Sequence, residues 1–154
     1  MGRKFYETKE HLKKEAEFKK SLEGYWRGRK LVKLHYKYHL DFAITNNGII
    51  TGWCEVKNRY FASKGKNFPP KHIDLALDKW MHAMDYSYYT KKTFVFAVRI
   101  DDGAGGDYAY VHKYGDEPDF QFIIGGRFLT QRDEQDIEPM VRIPFNYFER
   151  LDHK

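Results

Sequence analysis

The period of hydrophobic and polar positions changes several times along the chain and predicts two helices and six strand candidates. Residues 6–23 contain no proline or glycine and are rich in Lys, Glu and Leu, which is typical of a helix. Residues 30–44 alternate, with apolar side chains at every second position from Leu34, and predict a strand or one arm of a hairpin. Asn46-Asn47-Gly48 is a turn signal, and Ile49–Lys57 is the next predicted strand.

The second half of the chain continues with a helix and a buried strand. A basic loop over 58–70 ends in two prolines, and a helix is predicted from there to about Tyr88. The apolar face of this helix comprises Ile73, Ala76, Leu77, Trp80, Met81 and Met84. Thr93–Ile100 is almost continuously apolar, which indicates a strand covered on both faces. Shorter strand candidates follow at 107–113, 119–124 and 139–143. This order of elements predicts an α/β fold in which helices flank a mixed β-sheet.

The length of the loop between the first two strands decides whether their apolar side chains share a face of the sheet. A two-residue turn at Asn47-Gly48 would pair Asn46 with Ile49 and would place the two apolar sets on opposite faces. A three-residue loop, with Gly48 in the left-handed conformation, pairs Thr45 with Ile49 and keeps the sets together. The pattern therefore predicts the three-residue loop.

That register brings two carboxylates together. Asp41 would lie opposite Trp53 and diagonal to Glu55, about 7–8 Å away at the backbone. Mg²⁺ prefers one or two carboxylates together with water and phosphate oxygens, so this pair can hold it beside a phosphodiester. Lys57 shares the face of Glu55 and can orient an attacking water or offset charge in the transition state. The alternative is that Glu55 and Lys57 are ordinary charges of an exposed strand, since three other Asp/Glu-x-Lys triplets occur in the chain.

The residues around these acids resemble the core motif of the PD-(D/E)xK nuclease superfamily, which includes many restriction enzymes, Holliday-junction resolvases and phage-type nucleases. The resemblance rests on residues 39–44, which include Asp41, and on residues 52–57, which end in Glu-Val-Lys. It implies a restriction-endonuclease-like core of α-β-β-β-α-β order over about residues 10–100, with additional strands over 107–148 of a single domain.

The resemblance also implies roles for individual residues. Asp41, Glu55 and the main-chain carbonyl of Val56 would bind the metal, which is Mg²⁺ or Mn²⁺ in its place. Lys57 would be the catalytic lysine. One departure is visible, because Leu40 stands where the family motif has proline.

Both predicted helices offer a further candidate for the site. Many members of the superfamily carry a Glu on the first helix, and at about 100° per residue Glu15 falls within the apolar face of that helix, which makes it the candidate for a third acid at the metal site. An acid in an apolar stripe is costly unless it has a partner. The alternative is that the Glu15 side chain extends to solvent or forms an ion pair with Lys19. Lys79 is the candidate on the second helix, with a plain surface lysine as the alternative.

Charge is distributed unevenly around a net value of +5. Residues 1–37 hold twelve Lys or Arg against five Glu, whereas residues 115–140 hold seven acids against two Arg. A chain polarised in this way can present a positive face to a nucleic acid. The candidate nucleic-acid contacts are Arg59, Lys64, Lys66, Lys71 and Lys79. The alternatives are a solvated, lysine-rich helix and a loop that is anchored by its aromatic residues.

Several other classes of protein do not fit the composition. No stretch reaches the roughly 18 apolar residues of a membrane span, and no signal peptide is visible, so a cytoplasmic protein is expected. Cys54 is the single cysteine and excludes an intrachain disulfide, and the seven His residues show no zinc spacing.

Three functions follow from these observations. The first is an Mg²⁺-dependent DNA nuclease that hydrolyses phosphodiester bonds in one in-line step. The second is a non-catalytic nucleic-acid-binding domain on the same scaffold. The third is a protein-interaction or virion component that docks through the acidic region. Small nucleases of this type often dimerise, which makes a homodimer one expected assembly.

Overall fold

The computed structural model describes residues 8–60, 70–101, 107–113, 120–126 and 137–151. The elements in chain order are α1 (Lys9–Tyr25), β1 (Lys30–Lys33), β2 (Phe42–Asn46), β3 (Ile49–Tyr60), β4 (His72–Ala76), α2 (Leu77–Thr90), β5 (Thr93–Asp101), β6 (Asp107–Lys113), β7 (Gln121–Gly126), β8 (Ile137–Pro144) and β9 (Glu149–Leu151). Short 3₁₀ turns lie at Tyr36–Tyr38 and Phe145–Tyr147. No helix in the described ranges is long and apolar enough to cross a membrane.

The strands form two sheets, and the larger one is mixed. Its order is β1-β2-β3-β5-β6-β9, in which β3 and β5 are parallel and the other pairs are antiparallel. The chain crosses from β3 to β5 through β4 and α2, since parallel neighbours need a long connection. A second, antiparallel sheet has the order β4-β8-β7. The predicted α/β fold, in which helices flank a mixed sheet, is confirmed.

The core lies on both faces of the large sheet because β5 is apolar at nearly every position. Phe94 and Phe96 pack with Trp80 of α2 and with residues of the smaller sheet, whereas Val95 and Ala97 pack on the α1 side. Alternate residues of one strand therefore serve two separate clusters. The prediction of a strand covered on both faces is confirmed.

The prediction of one strand over 30–44 is wrong. β1 ends at Lys33, the 3₁₀ turn follows, and His39 adopts a left-handed conformation with φ of 64° before β2 begins. β1 then pairs antiparallel with β2. Tyr36 and Tyr38, which complete the apparent apolar alternation, are 70% and 44% exposed. The alternation was misleading because these aromatic residues do not belong to the core.

The predicted start of the second helix is also wrong. Ile73 and Ala76 lie on β4, which pairs with β8, and α2 begins only at Leu77. The buried residues of α2 are Trp80 and Ala83, while the two methionines assigned to its apolar face are exposed. β4 has only five residues, and its partner strand lies about 70 positions further along the chain. Its sequence is too short to show a period that would distinguish it from the helix that follows.

The turn between β2 and β3 differs from the prediction, but the apolar side chains of the two strands still share one face of the sheet, as predicted. Asn46 pairs with Ile49 across a two-residue turn, so the three-residue loop is wrong. A β-bulge between Ile44 and Thr45 then shifts the register, because Thr45 faces Ile50 and Ile44 faces Gly52. Beyond the bulge the apolar side chains of both strands again share a face. Ala43, not Asp41, lies opposite Trp53.

Gly52 is needed where three strands of the large sheet approach one another. A Cβ atom at this position would lie 2.9 Å from the main-chain oxygen of Thr93 and 3.3 Å from the Ile44 side chain. Because a backbone atom cannot move aside cheaply, we expect Gly52→Ala to lower the free energy of unfolding by about 1–3 kcal/mol, measured by urea denaturation. Gly24→Ala is the control, since nothing lies within 4 Å of a Cβ atom there. A Gly52→Ala variant as stable as this control would contradict the packing described.

Candidate active site at the start of β2 and the middle of β3

Asp41 and Glu55 are joined by reciprocal hydrogen bonds with the main chain. The main-chain N–H of Asp41 donates to Glu55 Oε2 over 3.1 Å, and the main-chain N–H of Val56 donates to Asp41 Oδ2 over 3.0 Å. Asp41 immediately precedes β2, and its carbonyl accepts a hydrogen bond from the N–H of Leu34 over 2.8 Å, which extends the pairing of β1 with β2. The structure thus brings together the two acids that the sequence singled out, although in a different register.

Glu55 is a buried acid, with 7% of its surface exposed. Burial, and secondly the negative charge of Asp41, raise the pKa of Glu55 to about 8, while Lys79 acts in the opposite direction. A carboxyl group in this environment is ionised at neutral pH only in part, and a nearby cation favours its charged form. The two acids therefore form a site that benefits from a cation.

Two lysines approach the oxygen atoms of these acids from different elements. Lys79 Nζ, on α2, lies 3.3 Å from Glu55 Oε1, so the lysine expected on the second helix reaches the site. Lys33 Nζ, at the end of β1, lies 3.6 Å from Asp41 Oδ1. Lys33 also forms an ion pair with Glu15 Oε1 of α1. Glu15 is largely buried, with 12% of its side chain exposed, and it is connected to Asp41 through this lysine.

The lysine of the predicted motif is held by the smaller sheet. Lys57 Nζ donates a hydrogen bond to the main-chain oxygen of Asp74 on β4 over 2.8 Å. Burial, and then the positive charge of Arg59, lower the pKa of Lys57 to about 7, although Glu55 and other acids act against this shift. The Asp74 carboxylate is bound in turn by Arg142 of β8 through two hydrogen bonds of 3.0 and 3.1 Å.

The residues expected to contact nucleic acid are placed unevenly. Arg59 is partly buried on β3, where burial lowers the pKa of its guanidinium and Asp74 acts against that shift. Lys71 is exposed just before β4. Lys64 and Lys66 lie outside the described residues, as does most of the basic loop. Contact with nucleic acid therefore stays a prediction for these residues.

Sequence reasoning missed Lys33, Asp74 and Arg142. Lys33 gave no signal, because the break after β1 was not recognised. Asp74 falls within the predicted second helix, and a helix at this position gives no reason to expect it near Lys57. Arg142 gave no distinct signal either, since it alternates with the buried Val141 and Ile143 and therefore has the pattern of an ordinary charge on the outer face of a strand.

The donor set fits a divalent cation that keeps much of its own water. Within the described ranges, no group of three or more His, Cys, Asp or Glu side chains is arranged to hold a metal ion. Asp41 and Glu55 provide two carboxylates, and two ammonium groups already lie against their outer oxygen atoms. Mg²⁺ typically takes one or two carboxylates and completes its shell with water and substrate oxygens. The residues present fit such an ion better than one that needs a closed protein cage.

The family model described as "Phage putative PDDEXK endonuclease" matches residues 1–151. The chain belongs to this family. Membership in the PDDEXK family makes the protein a nuclease of the PD-(D/E)xK type, whose substrate is a nucleic acid, and it confirms the resemblance seen in the sequence. No curated protein and no solved structure matches the chain.

The buried Glu55 should make the stability of the metal-free protein depend on pH. Its pKa is about 8 in the folded state against an ordinary value of 4.5, so between these values the folded protein holds a proton that the unfolded chain has released. The free energy of unfolding therefore falls as pH rises through this window. Because Glu55→Gln removes this loss, we expect its stability relative to the unmodified protein to rise from about pH 4.5 to about pH 8 and then to level off.

Urea denaturation in the presence of a chelator measures this difference across the pH range. Glu10→Gln is the matched control, because it removes one negative charge from an exposed side chain and so corrects for the change in net charge. A stability difference between the two variants that does not change with pH would show that Glu55 is not destabilised by burial.

Proposed function

We propose that the protein is a Mg²⁺-dependent nuclease that hydrolyses phosphodiester bonds in DNA. The observation that supports this most strongly is the direct hydrogen-bonded linkage of Asp41, just before β2, with Glu55 on β3, together with Lys57 on the same strand as Glu55. This arrangement combines acids for a hard cation with an amine for proton transfer or charge stabilisation. The expected homodimer and cytoplasmic location stay predictions.

Asp41, Glu55 and the main-chain carbonyl of Val56 would hold the cation. When bound, Mg²⁺ polarises the scissile phosphate and lowers the pKa of a water molecule beside it. The hydrogen bond from the Val56 N–H to Asp41 Oδ2 fixes one carboxylate oxygen, while Oδ1 is the atom that faces Lys33. Oδ1 of Asp41 is thus the carboxylate oxygen that is available to a cation.

Lys57 supplies a second catalytic function. Its lowered pKa gives a substantial unprotonated fraction near neutral pH, and in that form Nζ can accept a proton from the attacking water. In its protonated form the same atom can stabilise negative charge on the phosphate oxygens. The hydrogen bond to Asp74 limits where Nζ can lie, which favours one position relative to the carboxylates.

Lys33 and Lys79 would neutralise the acids until substrate and cation bind. Both lysines contact the oxygen atoms that are turned away from the main-chain hydrogen bonds. With a cation held at the acids, Lys33 and Lys79 would no longer be needed as partners, and their ammonium groups would then bind substrate phosphates. Glu15 would keep Lys33 near the site during this exchange.

Lys57→Ala should abolish hydrolysis of a labelled DNA, with a loss of at least 100-fold in kcat, while binding of the same DNA should change little. Lys92→Ala is the matched control because Lys92 is exposed and precedes Thr93, which pairs with Gly52 five positions before Lys57. Lys92 is therefore level with a point six residues before Lys57, and the two lysines are about 20 Å apart along the strand direction. Full activity in Lys57→Ala would remove this lysine from the mechanism.

Asp41→Asn should abolish binding of Mn²⁺ in isothermal titration calorimetry, because the amide removes half of the negative charge on which the cation depends. Asp85→Asn, on an exposed position of α2, should bind Mn²⁺ as the unmodified protein does. If the unmodified protein binds DNA but no Mn²⁺, the non-catalytic nucleic-acid-binding function replaces the nuclease proposed.

A further inference from the structure

A run of exposed aromatic and basic side chains leads directly into the candidate active site. Residues 35–39 read His-Tyr-Lys-Tyr-His, and all five are exposed. Tyr36 is 70% exposed and Tyr38 is 44% exposed. We call this segment the His35–His39 turn. Rings of this size contribute most when they are covered, so their exposure on an ordered turn suggests that a ligand covers them.

The turn is held in one conformation by its own hydrogen bonds. The N–H of Lys37 donates to His35 Nδ1 over 3.2 Å, and the N–H groups of Tyr38 and His39 donate to the carbonyls of His35 and Tyr36 over 3.0 Å each. The hydroxyl of Tyr86 on α2 donates to the Tyr38 carbonyl over 2.8 Å. A surface that is ordered before binding loses little conformational entropy when a ligand binds.

The turn lies beside the acids of the site. Tyr38 precedes Asp41 by three residues, so their Cα atoms are at most about 11 Å apart. Leu40, between them, is 2% exposed and fixes the chain in the core. On the other side, His39 stacks on His82 of α2 with ring centroids 3.9 Å apart, and His82 lies one helical turn beyond Lys79. A nucleic-acid strand bound at the acids therefore passes the exposed rings within a few nucleotides.

The positive charge and the exposed aromatic rings of the His35–His39 turn together indicate which kind of ligand it can bind. Residues 34–40 contain no acid, and Lys37 Nζ lies 5.0 Å from the ring centroid of Tyr38. Lys33 and Lys79 add positive charge towards the acids. A surface that offers cations to phosphates and aromatic rings to bases is typical of proteins that bind single-stranded nucleic acid. Bases inside a duplex are already stacked and can reach such rings only after the duplex is opened.

We propose that the His35–His39 turn stacks on unpaired bases next to the scissile phosphate, so that the substrate is single-stranded DNA or a single-stranded segment of a DNA duplex. This inference rests on the proposed nuclease function and specifies the substrate of the same site. The bases stack on Tyr36 and Tyr38, and Lys37 binds the phosphates between them.

Fluorescence anisotropy with a labelled single strand and a labelled, fully paired, blunt-ended duplex tests this inference. The measurement is made at one fixed low salt concentration with a chelator present, so that no cleavage occurs. We expect the variant with both Tyr36→Leu and Tyr38→Leu to bind the single strand about 5- to 150-fold more weakly for each base that loses its stacking partner. Binding of the duplex should be unchanged. The variant with both Tyr36→Phe and Tyr38→Phe keeps the rings and should retain affinity for the single strand.

Tyr88 and Tyr89 provide a matched control for the loss of exposed aromatic surface. They are 67% and 79% exposed, and Tyr89 lies ten residues beyond Lys79, or about 15 Å along the axis of α2. Replacing both with Leu should leave binding of the single strand unchanged. An equal loss of affinity for single strand and duplex, an equal loss in this control, or no loss in the Tyr36 and Tyr38 variant would overturn the inference.

A second measurement does not depend on the fold of a variant. In the unmodified protein, light-induced crosslinking of a single strand that contains 5-iododeoxyuridine should label Tyr36 or Tyr38, as read by mass spectrometry. Crosslinks confined to other tyrosines would contradict the proposed stacking. Because both tests use binding without metal, they can succeed while hydrolysis fails, in which case the proposed function alone is lost.

Discussion

The hydrogen-bonded contact between Asp41 and Glu55 is the interaction on which the candidate site depends. The Glu55 carboxylate accepts a hydrogen bond from the N–H of Asp41, and the Asp41 carboxylate accepts one from the N–H of Val56, the residue after Glu55. These bonds are satisfied only if β2 starts beside the middle of β3. They also force two carboxylates together at a buried position, where like charges raise the cost of ionisation. The same contact that fixes the geometry thus creates the need for positive charge.

That positive charge comes from parts of the chain that are far apart in sequence. Lys33 is supplied by β1 and Lys79 by α2, while Lys57 of β3 is held by the main chain of β4. The site is therefore complete only when both sheets and the second helix are in place. A buried charged group that loses its partner is strongly destabilising, so the fold and the charge balance of the site depend on each other.

The sequence was sufficient to predict what depends on local period. Alternation along β3 separates Glu55 and Lys57 from Cys54 and Val56, and the structure has the same division between the two faces of the sheet. The continuous apolar run of β5 likewise predicted a strand buried on both faces. These features are legible because burial on a strand repeats every two residues, whatever the partner strand is.

What could not be predicted depends on pairing over long distances in the sequence or on a local irregularity. β4 is recognisable only through its partner β8, and the role of Asp74 in holding Lys57 follows from that pairing. The apolar pattern by itself disfavours a two-residue turn, because such a turn separates the apolar sets, but the bulge after Ile44 corrects the register within the same strand pair. Local sequence rules treat a strand as regular, and they cannot anticipate an extra residue that serves the whole sheet.

Before β2 the chain turns at a place where the alternation of apolar residues predicts a continuous strand. Tyr36 and Tyr38 fit an apolar alternation perfectly well by residue type, yet the chain turns and exposes them. Predictions from local sequence usually agree with the tertiary structure where a segment contributes only to stability, and they fail more often where a segment has a functional role. The same chain turn also delivers Asp41 to Glu55, because β2 can begin beside β3 only after the chain has reversed from β1. The exposed rings and the partly buried Asp41 are therefore two results of one change of direction, which places the surface proposed to bind nucleic acid next to the proposed catalytic acids.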